Sequence, residues 1–258
     1  MVRGHHAFVC QNAINAVLFA QRGITGAHKV FTGEQGLFVL DYSWQSEFEP
    51  LTKDVGTTWE LLKDSIKLYA SCRCNHSPVS GAIALVKENN INLSDVEEIM
   101  IEVDPGCKKT VCDPAPMRWN PKTIVEAQFS LPFAVSNVMV KGKIFLDDYT
   151  PTELQNQEVR ALMHKVRCTV NETFKGFESN VSILLKSGKK YTKRTTIDEI
   201  KGGFQNPINW DGVVEKFKLN LPFSAVKLSK GKIDELIEKC KTLEILSDMS
   251  EIIDLCTP

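Results

Sequence analysis

A stretch of ten residues, 67–76, concentrates side chains that can do chemistry. It contains two cations, a phenol, two thiols and an imidazole, namely Lys67, Tyr69, Cys72, Arg73, Cys74 and His76. Lysine and arginine neutralise carboxylates, and histidine can carry a proton near neutral pH. A helix is predicted to follow directly, and its N-terminus adds positive potential. The stretch therefore favours an anionic ligand, with His76 as the proton-transfer or charge-stabilising group.

The same cysteines raise a zinc site as an alternative. Cys72, Cys74 and His76 alternate along the chain, and Cys107 and Cys112 follow further on. In a strand such alternation sends side chains to one face, which zinc coordination allows. The spacing is irregular, however, and lacks the paired-cysteine knuckles of structural zinc sites. We therefore predict no metal.

The elements that position these groups begin with an amphipathic helix. Apolar residues at positions 10, 13, 14, 17 and 18 recur at helical spacing, and Gly23 marks the end of the helix. Between residues 59 and 69 the pattern fits both helix and strand, and we predict a strand. Pro78 opens a helix that runs to about Val86.

Downstream, alternation and turn signals predict β structure followed by helices. Ile99, Ile101 and Val103 alternate with other residues and predict a strand, and residues 181–185 and 191–196 predict a hairpin. The proline-containing stretch 107–121 is predicted to be a loop. Helices are predicted at 124–140, with Pro132 at the true start or at a kink, and at 153–166, 210–219, 230–241 and 248–255. This order indicates an α+β middle between helical ends.

Composition excludes several classes of protein. The 258 residues include 31 Lys+Arg and 32 Asp+Glu, so the chain lacks the basic surplus of a nucleic-acid binder. No apolar run reaches the roughly 20 residues that cross a bilayer, so we expect no membrane span. The first residues lack the layout of a signal peptide. We therefore expect an intracellular protein, cytoplasmic or mitochondrial, with its eight cysteines reduced.

Four stretches in order resemble the MmgE/PrpD family, which includes 2-methylcitrate dehydratases, cis-aconitate decarboxylases and iminodisuccinate epimerases. They are residues 67–82, with the lysine, tyrosine, cysteine and histidine pattern, residues 6–26, ending in Gly-Ile-Thr-Gly, residues 126–135, and Asn206-Pro207 with Lys216-Phe217. Their order and approximate spacing hold along essentially the whole chain.

The resemblance implies a helical domain interrupted by an α+β lid and completed by C-terminal helices. On that basis the fold is α+β, with a helical segment at 1–48, a lid-like domain at 49–203 and a C-terminal helical segment at 204–258. The chain begins where the family is already well advanced, so we expect that a large N-terminal helical portion is absent. The resemblance also implies an active site without a cofactor.

Carried over residue by residue, His76 matches the motif histidine and Lys67 the motif lysine, and both are predicted to be catalytic. The predicted substrate-binding residues are Arg3, His6, Tyr69, Arg73 and Phe133. Phe133 stands where the family usually has tyrosine, and Ser80 where an aspartate is common. A phenylalanine ring has no hydroxyl to donate a proton.

The sequence thus predicts a cofactor-independent lyase, a dehydratase or decarboxylase, acting on a small polycarboxylic acid. Three alternatives stay open: a shortened, non-catalytic relative that acts by association, a half-enzyme completed by a second polypeptide, and a shortened member recruited to another reaction such as a cyclisation on a hydrophobic substrate. Because the apolar stripe of the first helix lacks its usual cover, we expect a homodimer or a complementing subunit.

Overall fold

Residues 4–42 and 49–257 are described by a computed structural model. Their contacts group the chain into two units, Met1–Trp59 and Glu60–Pro258, called here the first unit and the second unit. The predicted domain boundaries after residues 48 and 203 stay a prediction. Mixed helix and sheet in one chain confirm the α+β class.

The described part of the first unit is mostly helix and turn. It contains α1 (His5–Gln21), α2 (Leu37–Tyr42) and α3 (Glu49–Thr52). α1 confirms the helix predicted from the apolar repeat, and the chain turns away at Gly23, whose φ of 88° lies in the left-handed region that favours glycine. No residue of α1 is buried. Phe8, Ile14 and Val17 are each more than half exposed, so the predicted apolar stripe lies on the surface.

The described part of the second unit holds a four-stranded sheet in the order β2-β1-β3-β4. The strands are β1 (Val96–Val103), β2 (Val166–Val170), β3 (Ser179–Leu185) and β4 (Lys190–Thr195). β1 pairs in parallel with β2 and antiparallel with β3, while β3 and β4 form the predicted hairpin. Ile99 and Ile101 are fully buried, as their alternation predicts.

The described part of the second unit also contains a series of helices, the first of which packs on the sheet. They are α4 (His76–Asn89), α5 (Pro105–Cys107), α6 (Ala115–Arg118), α7 (Ile124–Gln128), α8 (Leu131–Lys141), α9 (Gln157–Met163), α10 (Trp210–Asn220), α11 (Lys230–Lys241) and α12 (Ser250–Cys256). The last three confirm the predicted C-terminal helices. None of the described helices is long and apolar enough to cross a membrane.

Close packing of α4 on the sheet depends on a glycine in its middle. α4 contacts β3 and β4. A Cβ atom at Gly81 would lie 3.3 Å from both Thr195 Oγ1 and Val181 Cγ2, so a larger residue would push the helix away from the sheet. On its other side α4 packs against α8. α8 starts at Leu131 with Pro132 in its first turn, which confirms the predicted helix start.

Three local predictions are wrong or incomplete. Residues 59–69 are not a strand: the segment contains a 3-10 turn, Glu60–Lys63, and irregular backbone. Leu61 and Leu62 are 81% and 77% exposed, so no neighbouring strand or core holds an extended conformation there. The predicted loop at 107–121 instead contains a π-helical turn, Lys108–Cys112, and a short helix, Ala115–Arg118. Pro116 occupies a first-turn position of that helix, where a missing N–H costs nothing.

The third concerns the long helix predicted at 153–166. Only Gln157–Met163 is α-helical, and the chain enters β2 at Val166. β2 pairs with β1 through five registered residue pairs, from Ile99 with Val166 to Val103 with Val170. Pairing with a distant strand overrides the local helical pattern at the end of α9.

Candidate functional site

His76 is the first residue of α4, and its side chain is fully buried. The next residue fixes this turn to the sheet. The Ser77 hydroxyl donates to the Thr195 carbonyl oxygen at 3.4 Å and shares a hydrogen bond of 2.5 Å with the Ser179 hydroxyl. These two partner residues belong to β4 and β3, so the imidazole is held by rigid elements rather than by a loop.

The hydrogen bond to the His76 ring defines its protonation. Nδ1 lies 3.5 Å from Nη1 of Arg73, and a guanidinium can only donate, so Nδ1 accepts. In a neutral ring this assignment places the proton on Nε2. Nε2 is buried and finds no hydrogen-bond partner in the described part of the chain. A buried N–H without a partner is costly, and an oxygen of a bound ligand would satisfy it.

Burial is the main reason that the His76 imidazole is neutral. It lowers the pKa of His76 to about 3, and the positive charges of Arg73 and Lys67 act in the same direction. The backbone of Ser71 and Tyr69 opposes this shift by favouring the charged ring. At neutral pH the side chain is therefore a hydrogen-bond donor without a charge.

Two cations of the sequence motif act on this histidine, and a third cation lies near one of them. Arg73 is half-buried in the turn before α4, and burial lowers the pKa of its guanidinium. Lys67 is exposed, in irregular backbone. Lys216 of α10 is half-buried, and its pKa is lowered first by burial and then by the nearby charge of Lys67. Within 4–42 and 49–257, none of the three forms a salt bridge.

Tyr69 connects the histidine to the surface. Its ring lies edge-on to that of His76, with 5.1 Å between the centroids, and its hydroxyl lies 3.1 Å from the Ser80 hydroxyl. Ser80, which stands where the resemblance implies an aspartate, therefore forms a hydrogen bond with the Tyr69 hydroxyl. The predicted substrate-binding residue Tyr69 is half-buried and therefore reachable from outside.

Phe133 is fully buried in α8, but a phenol lies next to it. The rings of Phe133 and Tyr149 have centroids 5.7 Å apart. Burial raises the pKa of Tyr149, and a contact with the Ser71 hydroxyl weakly opposes this. Within normal hydrogen-bond geometry the Tyr149 hydroxyl has no partner among the described residues. Tyr149 therefore supplies a protonated phenol beside the position where the family's tyrosine hydroxyl is missing.

A cavity of about 930 Å³ opens beside Tyr69 in the second unit. Its walls are mostly apolar and include Leu68, Ile83 and Leu219, and Phe145 and Phe223 meet edge-on with centroids 5.9 Å apart. Charged residues of both signs stand among them, namely Lys143, Asp147, Asp211, Glu215 and Lys218. This volume is ample for a small organic acid and extends beyond one.

Two further predicted substrate-binding residues come from the start of the chain. His6 is an exposed residue of α1 in the first unit, and Arg3 lies outside the described residues. Sequence reasoning gave no role to Lys216, Ser71 or Tyr149. Only Lys216 carried a signal, since it stands in the last of the four family-like stretches.

The structure places the cysteines in separate groups. All eight are free, and Cys74 lies close enough to Cys107 that this contact raises the pKa of Cys74 to about 12. Cys112 instead contacts Cys168. The residues that the structure describes contain no group of three or more His, Cys, Asp or Glu that could hold a metal ion. The zinc alternative therefore finds no ligand set in this part of the chain.

Acid should destabilise the fold through His76. In the unfolded chain His76 is protonated below its ordinary pKa of about 6.5, whereas in the folded chain it is protonated only below about pH 3. The free energy of unfolding should therefore fall as the pH decreases through this window, by up to about 1.4 kcal/mol per pH unit. Urea unfolding between pH 7 and pH 4 measures the slope.

The variant His76→Gln should flatten this pH dependence, because glutamine does not titrate. His164→Gln removes an exposed histidine and serves as the matched control, with a slope like that of the unchanged chain. Parallel slopes for all three proteins would contradict a buried neutral imidazole at position 76.

Comparison with known proteins finds a matching family model and curated relatives. Residues 69–243 match the family model described as the MmgE/PrpD C-terminal domain. A cis-aconitate decarboxylase-like protein of Aspergillus oryzae, oryM, is 23% identical over 265 residues, covering 98% of this chain and 54% of that protein. A cis-aconitate decarboxylase of Aspergillus terreus is 21% identical over 271 residues, with the same shares covered.

The chain thus spans about half the length of these curated relatives. The family match begins at Tyr69, seven residues before His76, and runs past Lys216 to include all of β1–β4. It covers more than half of the chain, and on this ground the protein belongs to the MmgE/PrpD family.

Proposed function

We propose that this chain carries the polycarboxylate-binding, proton-transferring part of a cofactor-independent lyase. The observation that supports it best is the charge around His76. Arg73 and Lys67 act on the neutral imidazole, and Lys216 lies near Lys67. None of the three cations has a carboxylate partner among the described residues. An anion with several carboxylates relieves the repulsion among these cations.

The cations differ in what they offer a ligand. Arg73 presents a planar fork that matches a carboxylate in a bidentate way, and its position is fixed by His76 and by the ring of Phe177, 5.9 Å away. Lys67 and Lys216 act as point charges on flexible stems. Partial burial of Arg73 and Lys216 removes competing water, which strengthens their attraction for an anion.

Dehydration or decarboxylation of such an acid places negative charge on a carbon next to a carboxylate in the transition state. Fixed cations stabilise that charge without reorganising. The Nε2–H of His76 donates to a substrate oxygen or delivers a proton, and the Tyr149 phenol provides a second neutral donor beside Phe133. The α+β part of the second unit would act as the lid of a larger helical enzyme, as the family resemblance implies.

The chain should bind a small tricarboxylate, and Lys216→Gln should weaken that binding about 10-fold, because a charge-assisted contact is lost. Isothermal titration calorimetry with tricarballylate measures this, and affinity should decrease with added salt. Lys190→Gln removes an exposed lysine at the start of β4 and is the charge-matched control. Equal weakening by both variants, or acetate binding as tightly as tricarballylate, would refute the site.

Turnover tests the lyase part of the proposal separately. With cis-aconitate or 2-methylcitrate, His76→Gln should lower kcat by roughly two to four orders of magnitude, as expected for loss of a general acid or base. Lys67→Ala should mainly raise KM, because a carboxylate clamp acts largely in the ground state. Product formation is followed for the chain alone and with a complementing polypeptide.

Undiminished turnover in His76→Gln would refute the proposed role of that histidine as a general acid or base. Tricarballylate binding without turnover in any arrangement would favour the non-catalytic alternative, while the binding site itself would stand.

A second candidate function follows from the apolar cavity beside Tyr69. Its walls suit a larger hydrophobic substrate, as in the alternative of a member recruited to another reaction such as a cyclisation. The two candidates differ in calorimetry, since an apolar substrate would bind with little dependence on salt and on Lys216. The tricarboxylate reading is preferred because an apolar substrate leaves the three cations unpaired.

We further propose that α1 pairs with a second copy of the chain. Its surface is apolar, and residues 5–21 contain no Asp, Glu, Lys or Arg, so two copies meet without charge repulsion. Sedimentation at micromolar concentration should give about twice the 28.9 kDa mass of one chain. Val17→Glu should shift the protein to monomer, because a buried unpaired carboxylate is costly. Asn12→Glu puts the same charge on the opposite face and should leave the assembly intact.

A clean 28.9 kDa monomer of the unchanged chain would refute this contact.

A further inference from the structure

Two cysteines that lie far apart in sequence meet at the edge of the sheet. Cys112 Sγ and Cys168 Sγ are 2.8 Å apart, although 56 positions separate the residues. The sulfur atoms need to approach by less than about 1 Å to reach the bond length of a disulfide, near 2.05 Å. The structure describes both as free thiols.

The fold holds this pair in place. Cys168 lies on the edge strand β2, where it is in register with Ile101 of β1. Cys112 ends a π-helical turn, Lys108–Cys112, which packs against β2. Trp119 adds a tie from the same region, since its indole N–H donates to the Val166 carbonyl oxygen at 3.2 Å. The two thiols therefore stay together without a covalent link.

Exposure and charge make the two sulfurs unequal. Cys168 is half-buried, whereas Cys112 is fully buried, so a reagent in solution reaches Cys168 first. The contact with Cys168 and then burial raise the pKa of Cys112, so that this thiol stays protonated. The ammonium of Lys108, held 2.7 Å from Asp113, lies near both sulfurs.

We propose that Cys112 and Cys168 form an intramolecular disulfide when the protein meets a hydroperoxide. The Cys168 thiolate attacks one peroxide oxygen, giving a sulfenic acid and hydroxide, which takes up the proton that Cys168 lost and leaves as water. The Cys112 sulfur then attacks the Cys168 sulfur, and the sulfenic hydroxyl leaves with the Cys112 proton as a second water. In total, two thiols and one hydrogen peroxide give one disulfide and two waters.

This modification is independent of the proposed lyase function, and it ties the turn after α5 to β2. Closing the loop between the two residues restricts the unfolded chain, so the oxidised protein should be more stable than the reduced one. We expect Tm to rise by about 5 °C on oxidation. Dithiothreitol should reverse the rise.

Peptide mapping identifies the bond directly. The full chain is treated with a few equivalents of hydrogen peroxide, its remaining thiols are alkylated, and it is digested with trypsin without reduction. Cleavage after Lys109, Arg118, Arg167 and Lys175 isolates each cysteine on its own peptide, residues 110–118 and 168–175. The expected product is this linked pair, which dithiothreitol separates.

Cys168→Ser should abolish both the linked peptides and the rise in Tm. Cys240→Ser removes an exposed cysteine and should leave both unchanged. Cys72, Cys74 and Cys107 also lie near one another and serve as an internal comparison for the proposed pair. Linkage of Cys72 to Cys74 at an equal rate, or conversion of Cys168 to a sulfinic acid without a link, would overturn the proposal.

Discussion

The structure around the candidate site depends on the packing of α4 against β3 and β4. Gly81 lets the helix approach the sheet, and Ser77 anchors its first turn to Ser179 and Thr195. This contact buries His76 at the start of the helix, where desolvation keeps the ring neutral. An exposed histidine in the same motif would titrate near its usual pKa and lose the directed Nε2–H. Helix packing thus sets the chemistry of the side chain.

Electrostatics completes the site in an unbalanced way. Elsewhere in the described chain, cations pair with carboxylates. Lys141, for example, contacts both Asp148 and Glu153. Arg73, Lys67 and Lys216 have no such partners in the described chain, and burial, followed by the charge of Lys67, lowers the pKa of Lys216. A fold gains nothing from unpaired, half-buried cations unless a ligand supplies the missing charge. This imbalance is the physical basis of the proposed binding of an anion.

Two aromatic rings, only one of which carries a hydroxyl, meet in the core. Phe133 has no hydroxyl, yet its ring packs against Tyr149, whose hydroxyl is buried and lacks a partner among the described residues. The two residues come from α8 and from the turn that follows it, so their rings meet only in the folded chain. A donor is therefore present in the core next to a position that by itself has lost one.

The sequence by itself determined the elements with strong local signals. Periodicity and turn residues predict the first helix, the strand around Ile101, the hairpin and the C-terminal helices. The Lys67–His76 motif marked the centre of the candidate site. Local sequence patterns gave the wrong structure where pairing with distant segments determines it. β2 forms because it pairs with β1. Residues 59–69 are irregular because no strand lies beside them.

Only the tertiary structure decided the environment of each site residue. Lys216 follows Lys67 by 149 positions in the sequence, yet α10 brings it near Lys67 in the fold. Tyr149 likewise meets Phe133 only in the folded core. Burial, neutral histidine and paired thiols are likewise properties of packing between distant segments. The sequence names the residue types, whereas desolvation and proximity, which set pKa and contact, arise only when the chain is folded.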